Sequence, residues 1–253
     1  MATKQSDSKV TIEIMPIEKQ SVTVSIVGTS PLILNRLSQK AKGQLLAPEK
    51  KSSARKNATL KHEPMDEFQA SPHRLKSDDE PTLLAVMATA IKGAMRTSAL
   101  DLPGATKAQV GRLTYIEGEF VPVFGVPQLF ISVTRCADIN HTPDIRTRTI
   151  LPRWAAQFSI TFVSPSIKAQ SVLNLVAAGG ITSGIGDWRM GKGSGNYGGF
   201  RVANADDEEL LDIMASGGRA AQIAAMNEPE AYDTETTEML AWFEGEAKRR
   251  GFR

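Results

Sequence analysis

Between Gly179 and Val202 the chain reads GGITSGIGDWRMGKGSGNYGGFRV, nine glycines in twenty-four residues, and no other stretch restricts the fold as much. Glycine admits positive φ and lets a second backbone approach where a Cβ would collide. The run therefore reads as a loop laid against something extended. Trp188, Tyr197 and Phe200 stand between the glycines, and Arg189, Lys192 and Arg201 outnumber Asp187. Aromatic faces interleaved with cations are the two parts of a single-strand platform, one stacking bases and the other pairing with phosphates. The same aromatics tucked into a core would make the loop plain architecture, and the sequence weighs the two readings about equally. No G-x-G-x-x-G follows a strand and no G-x-x-x-x-G-K-[ST] is present, which leaves a nucleotide cradle as the weaker reading.

With 253 residues, 41% of them hydrophobic, the chain is long enough for one large domain with elaborations. Formal charge is only +2, so a nucleic-acid role has to rest on how charge is distributed. The single cysteine, Cys136, excludes an intrachain disulfide and a cysteine-rich zinc site and suits a reducing cytoplasm. No apolar run approaches the roughly 20 residues of a membrane helix. A soluble, cytoplasmic protein is expected. H-E-x-x-H and paired-cysteine spacings are missing, Asp187 beside Trp188-Arg189 reads as a turn residue or ion-pair partner, and Gly193-Ser194-Gly195 lacks the strand-to-helix setting of a hydrolase elbow. Neither a metal nor a cofactor is expected.

Taken in order, Val10, Ile12 and Ile14 alternate enough for a short edge strand, and Val22, Val24 and Ile26 mark the first core strand. From Arg36 to about residue 80 the composition turns polar and proline-dotted. Arg36, Lys40, Lys42, Lys50, Lys51, Arg55, Lys56 and Lys61 face Glu49 alone up to Lys61. That segment reads either as a solvated insertion or as a basic finger that orders on a polyanion. Leu83, Leu84, Met87, Ile91 and Met95 at helical spacing predict one helix from about Pro81 to Leu100. Strands follow at Phe120–Phe124, Leu129–Cys136 and Trp154–Val163. NHTPDIRTRTILPR, residues 140–153, is a projecting loop or hairpin between the last two. A second helix around Val172–Val176 stops at Gly179-Gly180, and Phe200–Ala203 is a final strand. The order predicts an α+β, ferredoxin-like (RRM-like) βαββαβ core over residues 1–204. It carries a finger-like insertion at about 36–80 and a thumb-like loop at about 138–153, and an acidic, helical extension follows at 205–253.

Two segments resemble the RAMP superfamily of CRISPR-associated proteins: TAIKGAMRTSA at 89–99, like that family's "lKGalR" segment, and GKGSGNYGGFRV at 191–202, like its C-terminal glycine-rich segment. They occur in the family's order, and the likeness spans about residues 20–204. The two insertions look more like the finger and thumb of backbone subunits that polymerise along a guide RNA than like the processing endonucleases; a phage-encoded strand-coating relative fits equally.

The resemblance implies that Lys92 and Arg96 lie beside the strand-binding face, that the loop bearing Gly195, Tyr197 and Gly198 lies against the nucleic-acid backbone, and that Arg146, Arg148 and Arg153 sit on the thumb. Arg36, Lys40 and Lys42 in the finger and Arg189 and Lys192 in the glycine-rich loop complete the expected contacts. Backbone subunits that cut a target carry a loop aspartate; the counterpart here, GTSPLILNR at 28–36, has none, so no cleavage is expected. Of the histidines, His62 and His73 show no partner base in the sequence, and His141, beside the arginines, is the one candidate general acid or base. The leading expectation is a single-stranded nucleic-acid-binding protein, RNA favoured, that oligomerises side by side along the strand, alone or with other subunits of a ribonucleoprotein complex. An RNA endonuclease using His141 and a structural assembly protein that binds no nucleic acid are the alternatives.

Overall fold

Val24 and Ile26 point to one side of the first strand and Thr23, Ser25 and Val27 to the other, as strand geometry requires. The computed structural model describes residues 16–37, 42, 43, 46, 62–135, 143–192 and 195–251. In it strand β1, Glu18–Gly28, lies inside an antiparallel sheet of order β10-β1-β9-β6-β4-β3. The members are β3 (His73–Arg74), β4 (Leu84–Met87), β6 (Phe120–Phe124), β9 (Ala155–Ser164) and β10 (Phe200–Ala203), and β5 (Thr114–Ile116) also pairs with β9. Helices α2 (Ala88–Ser98) and α4 (Ala169–Thr182) cover one face. There Ile91, Met95, Val172 and Val176 join Val24, Ile26, Phe158 and Ile160 in the main core. Behind the opposite face Val27, Phe124 and Ala155 meet Leu210 and Ile213 of α5, Glu208–Ser216.

A second, three-stranded sheet of order β2-β8-β7 comprises Leu32–Leu34, Pro143–Leu151 and Gln128–Arg135. The segment between β6 and β9 is thus a regular hairpin, with Phe130 opposite Arg148 and Ser132 opposite Arg146. Helix α1 (Pro64–Ala70) packs on β8, and α7 (Thr234–Arg249) packs on β7. Helices α3 (Lys107–Leu113) and α6 (Arg219–Asn227) complete the seven among the described residues. None of these helices is long and apolar enough to cross a membrane.

Several expectations are corrected. The helix expected from Pro81 begins only at Ala88, because Leu84–Met87 pairs with β6 and β3 as a strand. Its residues Leu84, Ala85 and Val86 are all buried, and a short apolar run buried on both faces has no periodicity to separate strand from helix. The second helix does not stop at Gly179-Gly180 but runs through both to Thr182. A Cβ on Gly179 would lie 3.2 Å from the backbone of Ala94 and Met95, and one on Gly180 would strike Phe200, so the glycines serve close packing against α2 and β10 instead of termination. The end of the basic insertion is not solvated: Phe68 of α1 is fully buried, and the Thr149 amide donates to Ser71 Oγ (2.8 Å). The acidic C-terminal region forms three helices and is wired into both sheets. Gln222 of α6, with no exposed surface, accepts from the amides of Leu83 and Leu84 and donates to the carbonyls of Val123, Gly125 and Gly217. The edge strand expected at Val10–Ile14 lies outside the described residues.

Candidate nucleic-acid interface

The glycine-rich loop lies against β2 and one face of the second sheet. The Asp187 amide donates to the Ile33 carbonyl (2.9 Å), that of Gly198 to Pro31 (2.8 Å) and that of Thr29 to Gly199 (2.9 Å). The loop therefore clasps the segment 28–36 of its own chain. It also folds on itself, with Ile185 N donating to Gly198 O (2.9 Å) and Tyr197 N to Trp188 O (3.2 Å). Gly195 and Gly198 are required by this internal approach: a Cβ on Gly195 would run into the Trp188 carbonyl, and one on Gly198, whose φ is +69°, into that of Ile185. Their expected role against a bound strand has an intramolecular explanation.

Beneath the loop, Phe130, Ile33 and Ile150 form a small core that Trp188, Tyr197 and Tyr232 pack against while staying half-buried. Arg148 projects from β8 into this cluster and is only 1% exposed. Its guanidinium bonds Asp187 at 2.7 Å and Ser132 Oγ and lies 4.4 Å from the centre of the Trp188 ring. Burial pulls Arg148 below its ordinary pKa even though the bond and charge of Asp187 act the other way. Burial pushes Asp187 up, but hydrogen bonds from Asn35 and Arg148 and the Arg148 charge more than offset it and hold the carboxyl below its usual range. Arg148 is thus a partner of the loop, not a free cation on a thumb. Its ion pair also cancels the acid that would otherwise repel a phosphate here.

Arg146, two residues toward the hairpin tip, shares this face but is exposed. Arg189, whose Nη1 donates to Gly186 O (3.1 Å), and exposed Lys192 flank the same loop. Arg189 bridges to Tyr197 along the backbone and both it and Lys192 belong to the loop that carries Trp188, while Arg146 lies on the strand face where Arg148 meets the Trp188 ring. The other expected contacts stand elsewhere. Arg153 pairs with Asp212 of α5 at 2.9 Å. Arg96 lies over α3, where a Cβ on Gly111 would come within 3.1 Å of its Nε, and Lys92 sits one turn earlier on α2. Arg36, half-buried, ties the end of β2 to α1 through its amide bond to Ser71 O (2.6 Å), and Lys42 is exposed. Lys40 and His141 lie outside the described residues. The sequence did not show that His62 has partners: Nδ1 meets Glu67 at 2.9 Å and Nε2 meets Asp144 at 3.4 Å. The spacing of five between His62 and Glu67, straddling the start of α1, is the signal that was open to reading.

No family model and no curated protein matches this chain. Among solved structures, the crystal structure of Cmr6 from Pyrococcus furiosus is similar over 74% of this chain and 98% of that one, at 8% sequence identity and a TM-score of 0.38.

Proposed function

We propose that this chain binds single-stranded nucleic acid, RNA in preference to DNA, without cutting it, and assembles side by side along the strand within a ribonucleoprotein complex. The observation that carries the reading is that the glycine-rich loop holds Arg189 and exposed Lys192 on the same short segment as the half-buried Trp188 and Tyr197, over the strand face that bears exposed Arg146, with the nearby acid Asp187 already paired to Arg148. Exposed cations pair with phosphates of any sequence, and half-exposed rings stack with any base, so sequence preference is slight. A RAMP-type, ferredoxin-like core is part of the proposal. Reading β1, α2, β6, β9, α4 and β10 as its βαββαβ elements, the antiparallel order β10-β1-β9-β6 corresponds to 4-1-3-2. The two motif segments then fall on α2 and on the loop that leads into β10. Absence of an aspartate in GTSPLILNR, the segment the loop clasps, favours binding over cleavage.

Fluorescence anisotropy with short unstructured RNA and DNA oligonucleotides over a salt series tests this. Arg146→Ala and Lys192→Ala should each weaken binding equally for all sequences and lower the salt slope by roughly 0.7 for each phosphate that the variant no longer neutralises. A double variant that binds as the parent does, or parental binding indifferent to salt, would overturn the proposed interface.

A further inference from the structure

The face of β7–β8 opposite the glycine-rich loop carries a second surface that the strand-binding reading does not use. Between this face, α1 and α7 lies a cavity of about 360 Å³ walled by Ile131, Ile145, Met239, Trp242 and Phe243. That is within the range of pockets that accept a buried ligand group. Trp242 on its rim is 70% exposed, and the cross-strand pair Val133 and Ile145 continues the apolar strip into solvent at 55% and 38% exposure. A tryptophan left this open beside an apolar pocket is the usual anchor of a protein contact. The rim is acidic: Glu238 and Glu246 line the cavity with Arg250, Glu67 and Asp144 flank its His62, and Arg249 bonds Glu246. The matching occupant is therefore apolar and flanked by cations.

The chain itself holds such a segment. From Arg36 to Lys61 eight cations accompany a single glutamate, and Leu45-Leu46 forms an adjacent apolar pair among them. Leu46 is 87% exposed while Trp242 is also exposed, so within one copy the two do not cover each other. We propose that the α7 groove of one copy receives the Leu45-Leu46 region of a second copy, with the flanking lysines facing Glu238 and its neighbours. Such a contact joins unlike surfaces, so it repeats head to tail and builds an open chain of subunits. It rests on the side-by-side assembly proposed above, and supplies the interface for it.

Sedimentation of the full-length protein across concentration and salt, without nucleic acid, is the test. The parent should associate in a concentration-dependent way that salt weakens, and Trp242→Ala and Leu46→Glu should each reduce association at least about tenfold, close to the 1.4 kcal/mol that one decade represents. Mixing the two variants is decisive. Trp242→Ala keeps an intact segment and Leu46→Glu an intact groove, so together they should form a one-to-one pair that grows no further. A parent that stays monomeric, a Leu46→Glu variant that associates normally, or a mixture that fails to pair would overturn the inference. Anisotropy with a short oligonucleotide separates the two proposals: both variants should bind it as the parent does, and failure of the parent itself to bind would instead strike the strand-binding reading.

Discussion

Arg146 and Arg148 sit two residues apart on one strand, so they point to the same side, yet one is exposed and the other almost completely enclosed. Enclosure turns Arg148 from a contact into a support. Removing Arg148 leaves Asp187, 31% exposed and still bonded by Asn35, without its charged partner, so Arg148→Ala should cost about 1 to 3 kcal/mol and lower Tm, while Arg146→Ala leaves Tm unchanged; calorimetry of the two variants checks this. The depressed Asp187 carboxyl makes the same pair sensitive to acid. A carboxylate held below its ordinary value contributes fully above that value, about 3.9, and loses its contribution as pH falls through the folded value. The stability difference between the parent and Asp187→Asn should therefore be largest near neutrality and close below about pH 4; a gap that stays constant on acidification would contradict it. Gly198 combines positive φ with contact against the Ile185 carbonyl. Gly198→Ala should destabilise by roughly 1 to 3 kcal/mol, visible as an early melt whether or not nucleic acid is present.

Among the elements, α6 shows how a short polar helix becomes indispensable. Buried Gln222 accepts from two amides and shares its two N–H groups among three carbonyls from β6 and the turns beside β4 and β6, most of them enclosed where water cannot replace it. Gln222→Ala should cost about 2 to 4 kcal/mol through the groups left unpaired. Helix α3 offers a contrast. Its exposed capping box joins Thr106 and Gln109, and Thr106→Ala should cost only about 0.5 to 2 kcal/mol. Chemical denaturation of both variants should rank Gln222→Ala as the more damaging; the reverse order would show that α6 docks by apolar contact alone. Nothing local marks Gln222, whose partners lie up to 139 positions away.

At the scale of the molecule, two sheets share one chain, and the loop between Thr182 and Phe200 closes the second sheet over β2. Clean alternation made β1, β7 and β9 readable from the sequence, because period-two patterning is a local property set by one covered face. The helical stretch at Ala88–Ser98 and the glycine-rich loop before the last strand were legible because helical spacing and glycine content are local too. What tertiary structure decided was the use made of these parts. Leu84–Met87 is a strand because β3 and β6 flank it. Arg148 is internal because Asp187, 39 positions later, comes back to meet it. Gly195 and Gly198 face their own loop's carbonyls, and the acidic C-terminal helices close the faces of both sheets. Sequence by itself determined most of the segments that extend or coil, Leu84–Met87 and Gly179-Gly180 excepted, since backbone preference and periodicity act over a few residues. Which arginine is buried, which glycine is crowded and which groove stays open depend on partners brought from distant segments, and only the folded chain supplies them.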